Sequence, residues 1–351
     1  MTMKGGLTAV FCGVLTLGVG NEIEASAQSG AAQATARVAA ARAVAYKPGH
    51  DFTWVFNQNC TEPRPATTPQ PRAERAAAPA RIPPRSEWHA EPAKVFDNLY
   101  YVGTQLQSMW AVTTSEGIIL HDTAFNYMVK DAVEDGLRKL GLDPKQIKYV
   151  IIAHAHADHY LGARYLQQTY GARIIMSEAD WNYMPKDFAD KEKTPDAQMP
   201  NKDMVATDGM KLTLGDTTLT LYVTPGHTPG TISTLIPVRD GNRRHLASVW
   251  GGSGLGPGEL LMAFPSYEIA TKTYATSAKR YKDIVAKAGA DVYLSSHTVH
   301  DKTFDKLNAI KFRNSGDPHP FVSKDAVMRH LTLVAECAEA QAAWARGRSS
   351  N

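Results

Sequence analysis

Cysteine is scarce in this chain: three residues among 351, at positions 12, 60 and 337. Charge of one sign is scarce as well, with 38 Lys and Arg against 35 Asp and Glu. A net charge of +3 is too small to imply a nucleic-acid partner, and much of the excess Arg lies toward the N-terminus. Long apolar runs are missing. The stretch Leu7 to Val19 is too short to span a bilayer comfortably, and nothing later is longer. Neither a polyanion function nor a stable membrane anchor is expected. What the chain does have is 43% hydrophobic residues, enough to bury a substantial core.

The first 27 residues have the pattern of an export signal. Lys4 supplies the positive start, Leu7 to Val19 the apolar stretch, and Ala25-Ser26-Ala27 the small-x-small site after which a signal peptidase cuts. The mature protein is then expected in the periplasm or outside the cell. Cys12 leaves with the signal, so Cys60 and Cys337 remain, too few for an all-cysteine metal site. An oxidising compartment permits those two to pair or leaves them as unrelated thiols, and their positions alone do not decide which. Residues 28–87 are dominated by Ala, Pro, Arg, Gln and Thr, with seven prolines between 63 and 84. That composition predicts a flexible extension, anchored only by the aromatic patch Phe52 to Phe56 around Trp54.

The folded domain is expected over 88–351. Short β-rich runs occupy 95–102, 109–114 and 117–121, and an amphipathic helix follows over 127–140. A buried strand over 148–153, a helix over 160–170 and a strand over 173–177 continue the alternation. The second half predicts strands over 210–214, 218–223, 232–238 and 245–249, a long helix over 267–288, a strand over 291–295 and a terminal helix over 325–346. Strands alternating with helices indicate a layered α/β body.

Directly after the run Tyr149 to Ala153 comes the hexapeptide His154-Ala155-His156-Ala157-Asp158-His159. Imidazole and carboxylate suit zinc, and a turn leaving a buried strand can aim several of them inward. Two more histidines stand just outside predicted strands. His227 lies in the rigid turn Thr224 to Gly230, bracketed by Pro-Gly pairs, and His297 follows Val292 to Ser296. His300 is close enough in sequence to compete with His297, which fits the strand end better. His50, His89, His245, His319 and His330 are read as non-ligands.

On the motif at 154–159, the turn histidine at 227 and the late histidine at 297, the chain resembles the metallo-β-lactamase superfamily. The resemblance implies a four-layer αββα sandwich with a metal site at one edge of its two sheets. It also implies that His154, His156 and His227 bind one zinc ion, and Asp158, His159 and His297 a second. Asp122, after Ile118 to His121, matches the superfamily's first-motif aspartate and is expected behind a ligand, orienting it. Many superfamily hydrolases carry a bridging aspartate where this chain has Trp250-Gly251-Gly252-Ser253-Gly254. Six ligands with no bridging carboxylate and no cysteine are similar to the set of subclass B3 metallo-β-lactamases, in which Ser253 would be a possible substrate contact. Ser295 and Ser296 are weaker candidates for the same role.

The chemistry that follows is hydrolysis. Zinc lowers the pKa of bound water to about 7, so a hydroxide is available near neutral pH to attack the strained amide of a β-lactam. Asp158 is expected to orient it. Two other readings stay open: a metallohydrolase of another ester, lactone or thioester, similar to glyoxalase II or a lactonase, and a non-catalytic zinc-binding protein. The loops over 181–208 and 251–266 are expected to border the substrate cleft.

Overall fold

A computed structural model describes residues 17–62, 82–191, 195–252 and 254–349, with side chains described from residue 30 onward except at 190–191 and 348–349. Among these residues, twelve strands make two sheets. β1 (Ala93–Phe96), β2 (Leu99–Tyr101), β3 (Trp110–Thr114), β4 (Gly117–His121), β5 (Ile147–Ile151), β6 (Arg173–Ser177) and β7 (Met204–Ala206) lie in chain order in the first. β8 (Met210–Leu214), β9 (Thr217–Val223), β10 (Ile232–Asp240), β11 (Arg243–Trp250) and β12 (Val292–Ser295) lie in reverse order in the second. The pairs from β4 to β7 are parallel, as is β11 with β12; the rest are antiparallel.

Period-two alternation explains why two helical layers are needed. In β4, Ile119 faces the space between the sheets, where it packs with Trp110, Ile151 and Ile236, while Ile118 and Leu120 face the opposite side. There they meet Val129, Val133 and Leu137 of the segment after β4. Both faces are buried, as strands of a covered parallel sheet require. The second sheet is covered in the same way by the helices Tyr267–Ala288 and Lys324–Ser349, through Tyr274, Tyr281, Leu331 and Val334. The layers are therefore helix, sheet, sheet, helix, as the resemblance implied.

The expected element order is largely present, with differences at four places in the domain. The helix expected over 127–140 begins with a π-helical turn, Lys130–Glu134, before the α-helix Asp135–Lys139. The strand expected over 95–102 is two short strands joined at Asp97-Asn98. The expected loop 181–208 begins inside a helix, Glu178–Lys191, and the expected loop 251–266 contains another, Pro257–Ala263.

Within the expected flexible extension, residues 28–62 differ most from that expectation. A helix runs over Leu17–Ala45 and a second over Thr53–Asn59. Alanine, read as low complexity, is also the best helix former and lets two helices approach closely. Ala34 and Ala41 are fully buried, and Ala340 and Ala343 of the C-terminal helix pack with Ala34. The Arg329 guanidinium then caps the N-terminal helix, donating to the carbonyls of Val44 (2.8 Å), Lys47 (2.7 Å) and His50 (3.0 Å). Phe52, Val55 and Phe56 are buried on the second core, so the aromatic patch is an anchor, but Trp54 itself stays 39% exposed. A disulfide joins Cys60 to Cys337.

The expected cut after Ala27 falls within the first helix, and the remainder of the expected signal, 1–16, lies outside the described residues. So do five of the seven prolines between 63 and 84. Among the described residues, no helix is long and apolar enough to cross a membrane.

Candidate metal centre

Strand ends bring the candidate ligands together. The chain leaves β5 through Ile152 and Ala153, and the turn that follows is tight: His156 N–H donates to His154 C=O (3.0 Å) and His159 N–H to His156 C=O (2.9 Å). A single helical turn, Ala157–Tyr160, then carries Asp158 and His159. The turn holding His227 closes on itself where Thr224 N–H meets Thr231 C=O at 2.7 Å, and Ile232 N–H reaches Ala153 C=O across the sheets at 2.7 Å. Gly226 has φ +140°, and a Cβ there would lie 2.3 Å from Tyr274 Cα, so glycine is required. His297 follows β12, where Ser108 N–H donates to the neighbouring Ser296 C=O (2.8 Å).

Two groups of three result. The ligand-capable atoms of His154, His156 and His227 lie within 4.8 Å of one another, as do those of Asp158, His159 and His297. The groups adjoin, with the rings of His154 and His159 3.9 Å apart. His154, His159 and His227 are almost completely buried, whereas 27% of the Asp158 side chain and 15% of His297 remain accessible, so the cluster opens on that side.

The hydrogen bonds indicate what the histidines are arranged for. The Nδ1 atoms of His154 and His227 each face a carbonyl oxygen, of Gly251 (2.8 Å) and Gly254 (2.9 Å), and His159 Nδ1 faces Asp122 Oδ2 at 2.9 Å. These partners only accept, so each Nδ1 carries a proton, and in its neutral form each ring presents a lone pair at Nε2. Yet Nε2 of His154 points at Nε2 of His227 (3.2 Å), and Nε2 of His159 at Nε2 of His297 (3.3 Å). Between His154 and His227, both protonated on Nδ1, the opposed lone pairs repel, and a cation between them would turn that arrangement into ligation. Borderline metals such as zinc fit this donor set, and outer carboxylates and carbonyls on the far ring nitrogens are what metal-binding histidines use.

Two buried aspartates hold this geometry. Asp122 adopts φ +63°, a conformation uncommon for a non-glycine residue, and from it accepts from Ala153 N–H (2.7 Å) as well as facing His159. Asp180, fully buried, accepts from Ala155 N–H (2.9 Å), Thr228 Oγ1 (2.7 Å) and Gly230 N–H (2.7 Å), and so ties the 154–159 turn to the 224–230 turn.

Burial and mutual proximity set the ionisation of the chain's own groups. Desolvation, with the neighbouring histidines, pushes His154 well below its ordinary value, and desolvation brings His297 down to about 4. Burial also opposes protonation of His159, but Asp158 and Asp122 outweigh it and push that ring up to about 9. In Asp158 the burial penalty is overcome by His159 and His297, which hold the carboxyl down to about 2. Asp122 is held well below the carboxylate range, since His159 and His121 outweigh its desolvation. Desolvation pushes Asp180 up to about 6, against its three donors.

The six expected ligand residues are thus brought together, and Asp122 stands behind one of them. His300 is not part of either group; its ring lies against Trp54 at 5.0 Å. His319 bonds Val95 C=O and stacks on Phe96, His245 pairs with Asp291, and His89 contacts Glu91. His50 and His330 lie among Phe52 and Tyr293. Ser295 Oγ accepts from His297 N–H at 3.2 Å, a local backbone contact, and Ser296 is buried. Ser253 lies outside the described residues.

Sequence reasoning missed Asp180, the carbonyls of Gly251 and Gly254, and Glu259, an exposed residue whose charge reaches both His159 and His227. Asp180 did leave a signal. Ser177 and Asp180 form the S-x-x-D spacing of a helix start, and Ser177 Oγ accepts from Asp180 N–H at 3.3 Å. Carbonyl contacts leave none, because every residue has a carbonyl.

A family model described as the metallo-β-lactamase superfamily matches residues 102–241. The chain therefore carries a domain of the metallo-β-lactamase superfamily, a superfamily of metallohydrolases. Among solved structures, the native FEZ-1 metallo-β-lactamase from Legionella gormanii is 26% identical, with a TM-score of 0.60, covering 69% of this chain and 92% of that one. BJP-1, a subclass B3 metallo-β-lactamase of Bradyrhizobium japonicum, is 28% identical with a TM-score of 0.57, covering 71% and 92%. Curated relatives match over shorter spans. An N-acyl homoserine lactonase of Agrobacterium fabrum is 35% identical over 112 residues, 29% of this chain and 40% of the relative. A hydroxyacylglutathione hydrolase of Brucella anthropi is 25% identical over 127 residues, 34% and 42%. The chain thus spans about two fifths of these two relatives.

Proposed function

We propose that the protein is an exported zinc hydrolase of the subclass B3 type, opening the ring of a β-lactam. The observation that carries this reading is the pair of three-ligand groups with no carboxylate after β11, where Trp250 is followed by Gly251 and Gly252. The likeness to BJP-1 along 92% of that chain supports it. Export, through cleavage after Ala27, would place the enzyme outside the inner membrane, where β-lactams act and where its activity would give antibiotic resistance.

His154, His156 and His227 would hold one ion, and Asp158, His159 and His297 the other. Zinc bound there supplies Lewis acidity toward a carbonyl oxygen and acidifies a water to a pKa of about 7. The chain's own part is orientation. Asp122 and the carbonyls of Gly251 and Gly254 fix the protons of three histidines on Nδ1, which leaves Nε2 free to ligate. Asp158 presents a carboxylate on the accessible side, placed to accept a hydrogen bond from the attacking water and so to orient it. A small-molecule substrate would enter from that side.

The N-acyl homoserine lactonase relative supports a second reading, hydrolysis of a lactone or another ester or thioester at the same centre. One experiment separates them. The purified protein is assayed for zinc per chain and for turnover of a penicillin, a cephalosporin, a carbapenem, a lactone and a thioester, with and without chelator. Two zinc ions and chelator-sensitive β-lactam turnover are expected. Two zinc ions with lactone or thioester turnover alone would replace the first reading by the second, and zinc without any turnover would leave a binding protein.

Asp122→Asn tests the support behind His159. Removing the charge while keeping the shape is expected to weaken one of the two zinc ions about 10–100-fold. Competition with a chromogenic chelator measures it, and wild-type affinity for both ions would show that Asp122 only shapes its turn.

A further inference from the structure

We infer that the N-terminal segment, outside the residues matched by the family model, is a working part of the metal centre, with Asn59 as a positioning residue for His227. This rests on the reading of the histidine groups as metal ligands.

The connection is short and buried. Asn59, the last residue of the helix Thr53–Asn59, is fully buried, and its Oδ1 accepts from Leu255 N–H at 3.1 Å. The residue before Leu255 is Gly254, whose carbonyl accepts from His227 Nδ1 at 2.9 Å. One peptide unit therefore separates the contact made by Asn59 from the contact that orients a ligand ring. A peptide is planar, so fixing Leu255 N–H fixes the direction of the Gly254 carbonyl that shares its plane. In this trans peptide the Gly254 C=O and Leu255 N–H lie in that plane and point in opposite directions, one toward His227 and the other toward Asn59.

Asn59 is itself held to the C-terminal helix in two ways. Gln341 Nε2 of the C-terminal helix donates to Asn59 C=O (2.8 Å) and Thr61 C=O (2.7 Å). Next in sequence, Cys60 is covalently bound to Cys337 of the same helix. Tyr267 completes the frame, donating to Leu255 C=O at 2.6 Å with its hydroxyl oxygen 3.0 Å from Gln341 Oε1. Leu255 is buried in the same core as Phe56 and Cys60. The glycine-rich segment after β11 is thus pinned at Leu255 by an element nearly 200 residues earlier. Glycines at 251, 252, 254 and 256 would otherwise leave that carbonyl free to rotate.

The test compares Asn59→Ala, which removes the acceptor, with Asn59→Asp, which keeps an oxygen in its place. Zinc affinities are measured by chelator competition, and cobalt(II) substitution reports ligand geometry through its visible absorption. N59A is expected to lose about 10–100-fold in affinity for one of the two ions, with an altered cobalt spectrum, and N59D to recover most of both. Wild-type affinities and spectrum in a folded N59A overturn the inference while leaving the metal reading intact. A wild-type protein that binds no zinc overturns both. Should N59A fail to fold, Gln341→Ala, which loosens Asn59 from the C-terminal helix, is read in the same way. A smaller loss at the same ion is expected, and unchanged binding in folded Q341A overturns the inference.

Discussion

Asp180→Ala is expected to destabilise the protein by about 3–5 kcal/mol and to abolish binding of at least one metal ion. Two backbone N–H groups, of Ala155 and Gly230, and the Thr228 hydroxyl lose their shared acceptor in a site that water does not reach. Each buried donor left unpaired costs about 1–3 kcal/mol, and partial relaxation keeps the sum below the maximum. The three donors belong to the two turns that carry His154, His156 and His227, so the turns separate as the acceptor goes. Replacement by Asn would not restore the site, since one of its two polar atoms donates rather than accepts. Denaturant unfolding and zinc titration of the same sample check both halves. A variant with wild-type stability would mean that the turns are held by Thr231 and Ile232 alone.

Removing the Cys60–Cys337 disulfide is the second large effect. It closes a loop of 277 residues, and a cross-link of that span removes entropy from the unfolded chain worth about 5–6 kcal/mol in the chain-entropy relation, the top of what disulfides give. Ala substitution of both cysteines is expected to lower the melting temperature by about 10 °C or more for a chain of this size. Thermal unfolding monitored with and without a reductant measures the effect. A shift below about 2 °C would mean that the packing of the two terminal helices alone holds the N-terminal segment in place.

The site was legible in the sequence to an unusual depth because its chemistry is concentrated. His154, His156, Asp158 and His159 fall within six positions, and a strand pattern precedes His154 and His297. Side-chain type and strand ends are both visible in one dimension. The supporting shell was not, since the Gly251 and Gly254 contacts come from main-chain carbonyls that any residue could supply. The N-terminal segment was misread for a related reason. An alanine-rich stretch is equally the composition of a flexible chain and of a close-packed helix. Only its partner, the small residues Ala340 and Ala343 some 300 positions later, distinguishes the two. Likewise the π-helical turn at Lys130–Glu134 follows an ordinary amphipathic pattern, and nothing in that pattern marks one extra residue per turn.

Pairing the first helix with the last has a consequence for the order in which the molecule is completed. At synthesis rates of about 5–20 residues per second, Cys60 waits roughly 15–60 s before Cys337 exists to meet it. The two sheets can close meanwhile, because every strand among the described residues lies between those two cysteines. The outer helical layer, and with it the Asn59 contact to Leu255, is therefore the last piece to be set. The His227 ring acquires its final orientation only when the chain's end has been made.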